Sequence, residues 1–269
     1  MKICVCGKGG SGKSTIVSLL AAGFKRNGRK VIILDSDESN ANLFWTLGFD
    51  RPARPLMDLV GGKKAVQQKM IAGFTRKEAE PAMTIWEMKS LPSHEIPSEY
   101  VVENENCKLV VTGKIHQSLE GCACPMGAVT REFLKRLRPA RDEIVVIDME
   151  AGIEHFGRGV EASVDMVLCV VEPSLESIAL AKKVIELTQG AGAVFKGAIL
   201  NKISSPRQKD TVTEKLSRLG VPILGTVAYD SEIQSSCLDG FCLNAQVAIV
   251  DEVADMTSEL LRRTVSLEK

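Results

Sequence analysis

Gly7-Lys8-Gly9-Gly10-Ser11-Gly12-Lys13-Ser14-Thr15 is the stretch that decides how this 269-residue chain folds. It satisfies G-x-x-x-x-G-K-[ST], follows the apolar run 3–6 directly and opens a helical pattern over 14–27 that stops at Gly28. Strand, glycine loop and helix in that order make a phosphate cradle. Glycines let successive backbone N–H groups turn inward around phosphate oxygens, and the helix N-terminus adds the positive end of its dipole. Lys13 is expected to reach the β- and γ-phosphates of a bound nucleotide, and the Ser14 hydroxyl to ligate Mg2+.

Outward from this loop the pattern repeats. Short apolar runs at 31–34, 144–147, 166–171, 195–200 and 221–227 are too brief for helices and read as buried strands, with helical periodicity at 175–188 and 210–219 between them. Strands apolar on both faces that alternate with helices predict an α/β fold: a mostly parallel β-sheet flanked by helices on both faces. Residues 1–269 read as a single domain with an insertion at about 50–106. There Pro52, Pro55, Pro81, Pro92 and Pro97 interrupt charged sequence, and the helical pattern is confined to 56–71. Runs at 100–102 and 109–111 flank a polar turn and predict an edge hairpin; 246–261 predicts a closing helix.

Composition narrows the function. Lys plus Arg and Asp plus Glu are 34 each, so the formal net charge is zero, which argues against nucleic acid or an anionic membrane surface as partner. The start of the chain lacks the apolar core of a signal peptide, and no run has the 18 or more apolar residues of a membrane span, so a cytoplasmic protein is expected. The eight cysteines then read as core residues or metal ligands, not as a disulfide framework.

Mg2+ needs oxygen ligands, and the attacking water must be held in line with the γ-phosphate. Asp148, ending the run 144–147, stands at the Walker B position; Asp35 and Asp37 end the second strand. Either of the latter two can also cap the loop that follows. Asn201-Lys202 ends the run 195–200, where an Asx turn is one reading. Cys122-Ala-Cys124-Pro125 is the second chemical signal. Pro125 suits the first turn of a helix reaching about 137, whose dipole favours thiolate at Cys124. Two sulfurs half-fill a tetrahedral site for Ni2+ or Zn2+, and a two-fold axis would supply the other two. Cys4, Cys6 and Cys169 lie on predicted strands and read as core; Cys107 is a weaker ligand candidate, and His116 and His155 read as surface or switch residues.

With Lys8 inside the loop, the sequence resembles the deviant Walker A pattern K-G-G-x-G-K-[ST] of the MinD, ParA and nitrogenase iron protein class. The resemblance implies a MinD-like P-loop NTPase of the SIMIBI class that hydrolyses ATP. It also implies a homodimer in which Lys8 reaches the partner's nucleotide, with Asp37 as the switch I acid acting on the attacking water and Asn201 against adenine. Asp148-Met-Glu150-Ala-Gly152-Ile-Glu154-His155-Phe-Gly-Arg158-Gly159, the 99–102 run, Gly113-Lys-Ile and Gly121-Cys-Ala-Cys-Pro125 resemble, in the same order, the CooC-type carbon monoxide dehydrogenase maturation ATPases. That resemblance spans all but about 50–95. It implies ATP-driven insertion of nickel into carbon monoxide dehydrogenase, or into acetyl-CoA synthase as the related client. Ser11 to Ser14 and Asp37-Glu38 depart from the family's commoner residues. An Fe–S electron-transfer ATPase like the nitrogenase iron protein, and a MinD- or ParA-like positioning ATPase, are the competing readings; the close spacing of Cys122 and Cys124 weighs against the first, and zero net charge against the second.

Overall fold

The computed structural model describes residues 1–39, 42–75, 86, 88–114, 124–240, 242–243 and 247–264. In chain order the elements are β1 (Lys2–Gly7), α1 (Lys13–Arg26), β2 (Lys30–Asp35), α2 (Leu43–Thr46), α3 (Leu56–Leu59), α4 (Gly62–Thr75), β3 (Leu91–Pro92), β4 (Val102–Asn104), β5 (Cys107–Val111), α5 (Cys124–Arg136), β6 (Leu137–Arg138), β7 (Glu143–Asp148), α6 (Glu154–Gly157), β8 (Met166–Val171), α7 (Leu175–Ala191), β9 (Val194–Ile203), α8 (Pro206–Arg218), β10 (Ile223–Ala228), α9 (Ser231–Asp239) and α10 (Val247–Thr264).

Eight strands form one sheet in the order β10-β9-β8-β1-β7-β2-β5-β4. All pairings are parallel except β4 with β5. The alternation of side chains along β1 divides the core. Ile3 and Val5 join Ile16, Leu19, Leu20 and Phe24 of α1 with Val253, Met256 and Leu260 of α10. Cys4 and Cys6 face the opposite layer, with Val129, Phe133 and Leu134 of α5 and Ile178, Ala181 and Val184 of α7. Both faces are covered, which is why these strands are apolar throughout. β1 lies between β7 and β8, so chain direction across the sheet reverses there and leaves a crevice at the carboxyl ends of the strands.

Several boundaries differ from the sequence reading. The helix expected over 56–71 is two helices, because Gly61 and Gly62 both take positive φ and end the first turn. α8 begins four residues earlier than the apolar periodicity shows. Ser205 caps it by accepting from Gln208 N at 3.3 Å, and Pro206 fills its first turn. α9 went unread; Asp230 caps it by accepting from Glu232 N at 2.6 Å and Ile233 N at 3.2 Å. In the hairpin only β4 is the edge, since β5 also pairs with β2, and Glu105 takes φ 39 in the turn. α3 contributes Leu56 and Met57, and α4 contributes Val66, to the same apolar layer as α5. No helix among the described residues is long and apolar enough to cross a membrane.

Candidate nucleotide site

The carboxyl ends of β1, β2, β7, β8 and β9 bring the predicted residues together around the 7–15 loop. Gly10 and Gly12 take φ 77 and 90, a conformation open to glycine, and turn the loop back on itself. A Cβ at Gly12 would overlap the Asn201 amide nitrogen. That nitrogen donates to Ser11 O at 2.8 Å, and Lys202 Nζ donates to Gly10 O. Asn201 and Lys202 therefore brace the loop from β9. Lys13 is buried and its Nζ lies 3.5 Å from Lys8 O, folded over the loop it is expected to serve.

The Ser14 hydroxyl donates to Asp148 Oδ2 at 2.6 Å, while Asp148 Oδ1 is buried without a hydrogen-bond partner. Burial pushes the Asp148 carboxyl up to about 7, with Asp35 adding to the shift and Ser14 and Lys13 opposing it. A hydroxyl and an orphaned buried carboxylate oxygen side by side at a phosphate loop fit a hard divalent cation, so Ser14 and Asp148 could hold Mg2+. Asp35 is raised to about 6 by burial despite Lys114, whose Nζ stands 2.7 Å from its Oδ2. Asp37 lies close enough to raise Asp148 further. Its Oδ1 accepts from Ser39 N at 2.9 Å and Ser39 Oγ at 2.6 Å, so Asp37 builds the local turn as well as facing the site.

Lys8 is held by its own chain: Nζ lies 2.9 Å from Glu176 Oε2 and 3.2 Å from Glu172 Oε1. The segment after Asp148 docks on the loop, with Gly152 N donating to Gly7 O at 3.1 Å. Farther along, Arg158 pairs with Glu150 and lies over Gly127 of α5, and Arg131 Nη1 donates to Arg158 O at 2.9 Å. Glu38 is raised by burial and by Glu150, which puts the two loops beside each other.

Residues 3–240 match the family model of the CobQ/CobB/MinD/ParA nucleotide binding domain. The chain belongs to this family. It is thus a P-loop ATPase, and the MinD-like architecture expected from the sequence is the one observed. It is 39% identical over 259 residues to the uncharacterized ATP-binding protein MJ0084 of Methanocaldococcus jannaschii, covering 96% of this chain and 100% of that one. It is 34% identical over 266 residues to the carbon monoxide dehydrogenase accessory protein CooC of Rhodospirillum rubrum, covering 98% and 97%. MinD of Pyrococcus horikoshii, solved with Mg-ADP, superposes with a TM-score of 0.71 at 18% identity over 98% of this chain and 96% of that one, and so shares the fold.

The cysteines divide. Cys4, Cys6 and Cys169 are buried, as expected. Cys107 is buried in the layer of α1, opposite the layer that holds α5, so it is no companion ligand for Cys124. Cys124 opens α5, is exposed and is disulfide-bonded, where the sequence reading expects a thiol; the six other described cysteines are free. Cys122 and His116 also lie outside them. His155 is 1% exposed, which overturns its surface reading. Sequence reasoning missed Glu172, Glu176 and Lys114. Glu172 ends an apolar strand, as Asp148 does, and Lys114 sits in the quoted Gly113-Lys-Ile motif; both signals were visible but had no partner in sequence.

Proposed function

We propose that this chain is a cytoplasmic maturation ATPase that delivers Ni2+ to carbon monoxide dehydrogenase or acetyl-CoA synthase. In this reading ATP and Mg2+ binding set the geometry of a homodimer, and the cargo metal, Ni2+ or Zn2+, is shared between the Cys122 and Cys124 pairs of two protomers. The observation that carries it is the tether from Asp148 and Glu150 through Arg158 to Gly127 and Arg131, on the helix that Cys124 opens. A change at the γ-phosphate felt by the Asp148 loop would move the metal-bearing end of α5. Full-length likeness to CooC supports the client class. Ser14 and Asp148 would hold Mg2+, Lys13 would meet the β- and γ-phosphates, Asp37 would orient the attacking water, and Lys8 would act across the dimer. Mg2+ supplies charge neutralisation between the β- and γ-phosphates when bound.

Gel filtration with metal analysis of reduced protein, with and without ATP, tests the reading. The parent is expected to hold one Ni2+ or Zn2+ per dimer more than Cys122→Ala/Cys124→Ala does; a double variant that dimerises and binds as much metal as the parent would sink it.

A further inference from the structure

Behind the nucleotide loop, on the α5 and α7 side of the sheet, three different metal-binding side chains converge in a dry interior. The Cys4 thiol, the His155 imidazole and the Glu161 carboxylate offer ligand atoms that all lie within 4.8 Å of one another. Their exposures are 0%, 1% and 0%. His155 Nε2 stands 3.1 Å from Glu161 Oε1, yet neither His155 nitrogen and neither Glu161 oxygen makes a hydrogen bond of normal geometry. Polar side chains buried this deeply without well-formed hydrogen bonds cost several kcal/mol unless something satisfies them. Cys6 lies beside His155, and Cys169 faces Cys6 across β1 and β8.

We infer that Cys4, His155 and Glu161 form an interior site for one borderline divalent cation per protomer, of the Zn2+ or Ni2+ kind. Thiolate, imidazole and carboxylate are the mixed set such cations take. Tetrahedral ligand atoms stand roughly 3.3–3.8 Å apart, so closing the site needs shifts of about 1 Å. The cation displaces the Cys4 thiol proton to solvent and neutralises the Glu161 carboxylate. The site is independent of Cys124, which opens α5, and shares no residue with the Cys122/Cys124 pair. Its placement gives it a consequence for the ATPase. Cys4 is on β1, three residues before the phosphate loop, and His155 is on α6, seven residues after Asp148, so a bound cation would pin the Asp148 segment to the central strand.

Reduced, chelator-treated Cys122→Ala/Cys124→Ala protein, titrated with Co2+ and then Zn2+, tests the site apart from the proposed cargo site. One equivalent per protomer, a thiolate-to-cobalt charge-transfer band that Zn2+ abolishes, and a higher Tm with Zn2+ are expected. Adding Cys4→Ala should remove the band, and adding His155→Gln or Glu161→Gln should weaken Co2+ binding at least tenfold. Cys4→Ala leaves a small apolar residue in an apolar layer, so it reports even if the other two fail to fold. Absence of metal binding in the Cys122→Ala/Cys124→Ala protein, or the same band after Cys4→Ala, would overturn the inference.

Discussion

Lys8 lies against Glu176 of its own chain, Nζ to Oε2 2.9 Å, although a lysine at this position of the loop is expected to serve a partner's nucleotide. Glu172 holds the same ammonium from the other side and also faces Lys202 Nζ at 3.6 Å. Both carboxylates raise the affinity of Lys8 for its proton, Glu176 more than Glu172, so the lysine is held as a cation in this pairing.

The pairing is solvated on the Glu176 side and is therefore weak enough to be exchanged. Glu172→Gln/Glu176→Gln should free Lys8 and lower the ATP concentration at which dimers form by a few-fold, read by light scattering on a sizing column. Lys8→Ala should bind ATP as the parent does and remain monomeric. Dimers from Lys8→Ala at parental ATP concentrations would show that this lysine has no intersubunit role.

Much of the site was legible because it is local. The 7–15 loop, Asp148 and the apolar strands are runs of neighbouring residues whose pattern survives translation into structure. What escaped lies in pairs joined only by the fold. Lys114 meets Asp35 across 79 positions, and Asn201 meets Ser11 across 190. His155 read as surface because a lone histidine beside charged residues has no periodicity; tertiary packing of α6 under β1 buried it. α9 was missed because its nine residues bury Ile233 and leave Leu238 exposed, too little for an amphipathic signal.

Gly12 and Asn201 make a second prediction. Gly12→Ala meets both a positive φ and the Asn201 amide, so it should lower stability by about 1–3 kcal/mol and abolish nucleotide binding. Asn201→Ala removes the obstruction and the brace on Ser11 O but leaves the φ strain. The double variant should therefore regain part of the stability of Gly12→Ala and none of the affinity, measured by thermal melts and a fluorescent ATP analogue. Full recovery of both would mean that overlap, and not backbone conformation, fixes this glycine.

Asp148 predicts a proton signal. Its carboxyl is raised from 3.8 to about 7 by burial, so between about pH 4 and about pH 7 the folded apo protein holds a proton that the unfolded chain has given up. The raised folded value means that this group's contribution to stability is present at low pH and is lost as pH rises from about 4 to about 7. Mg-nucleotide binding selects the carboxylate and should release that proton. Calorimetric titrations in buffers of different ionisation enthalpy should show release approaching one proton per site near pH 6, falling toward zero by about pH 8.5. Asp148→Asn should show none at either pH; an equal release from that variant would assign the proton elsewhere.

The path from Asp148 to α5 predicts a loss of coupling without a loss of fold. A Cβ at Gly127 would overlap Arg158 Cδ, so Gly127→Ala should push Arg158 away from Glu150. Alanine inside a helix is favoured over glycine by roughly 0.5–1 kcal/mol, which offsets part of the steric cost, so Tm should change little. ATP affinity should also hold, because Gly127 is not part of the phosphate loop. What should fall, several-fold, is the change in Ni2+ or Zn2+ affinity that ATP produces in reduced protein. Arg158→Ala should give the same loss by removing the side chain, and the double variant should be no worse than either single one, since both cut one connection. Additive losses in that cycle would mean that α5 and the Asp148 segment communicate by separate routes, and Arg158 would no longer be the tether.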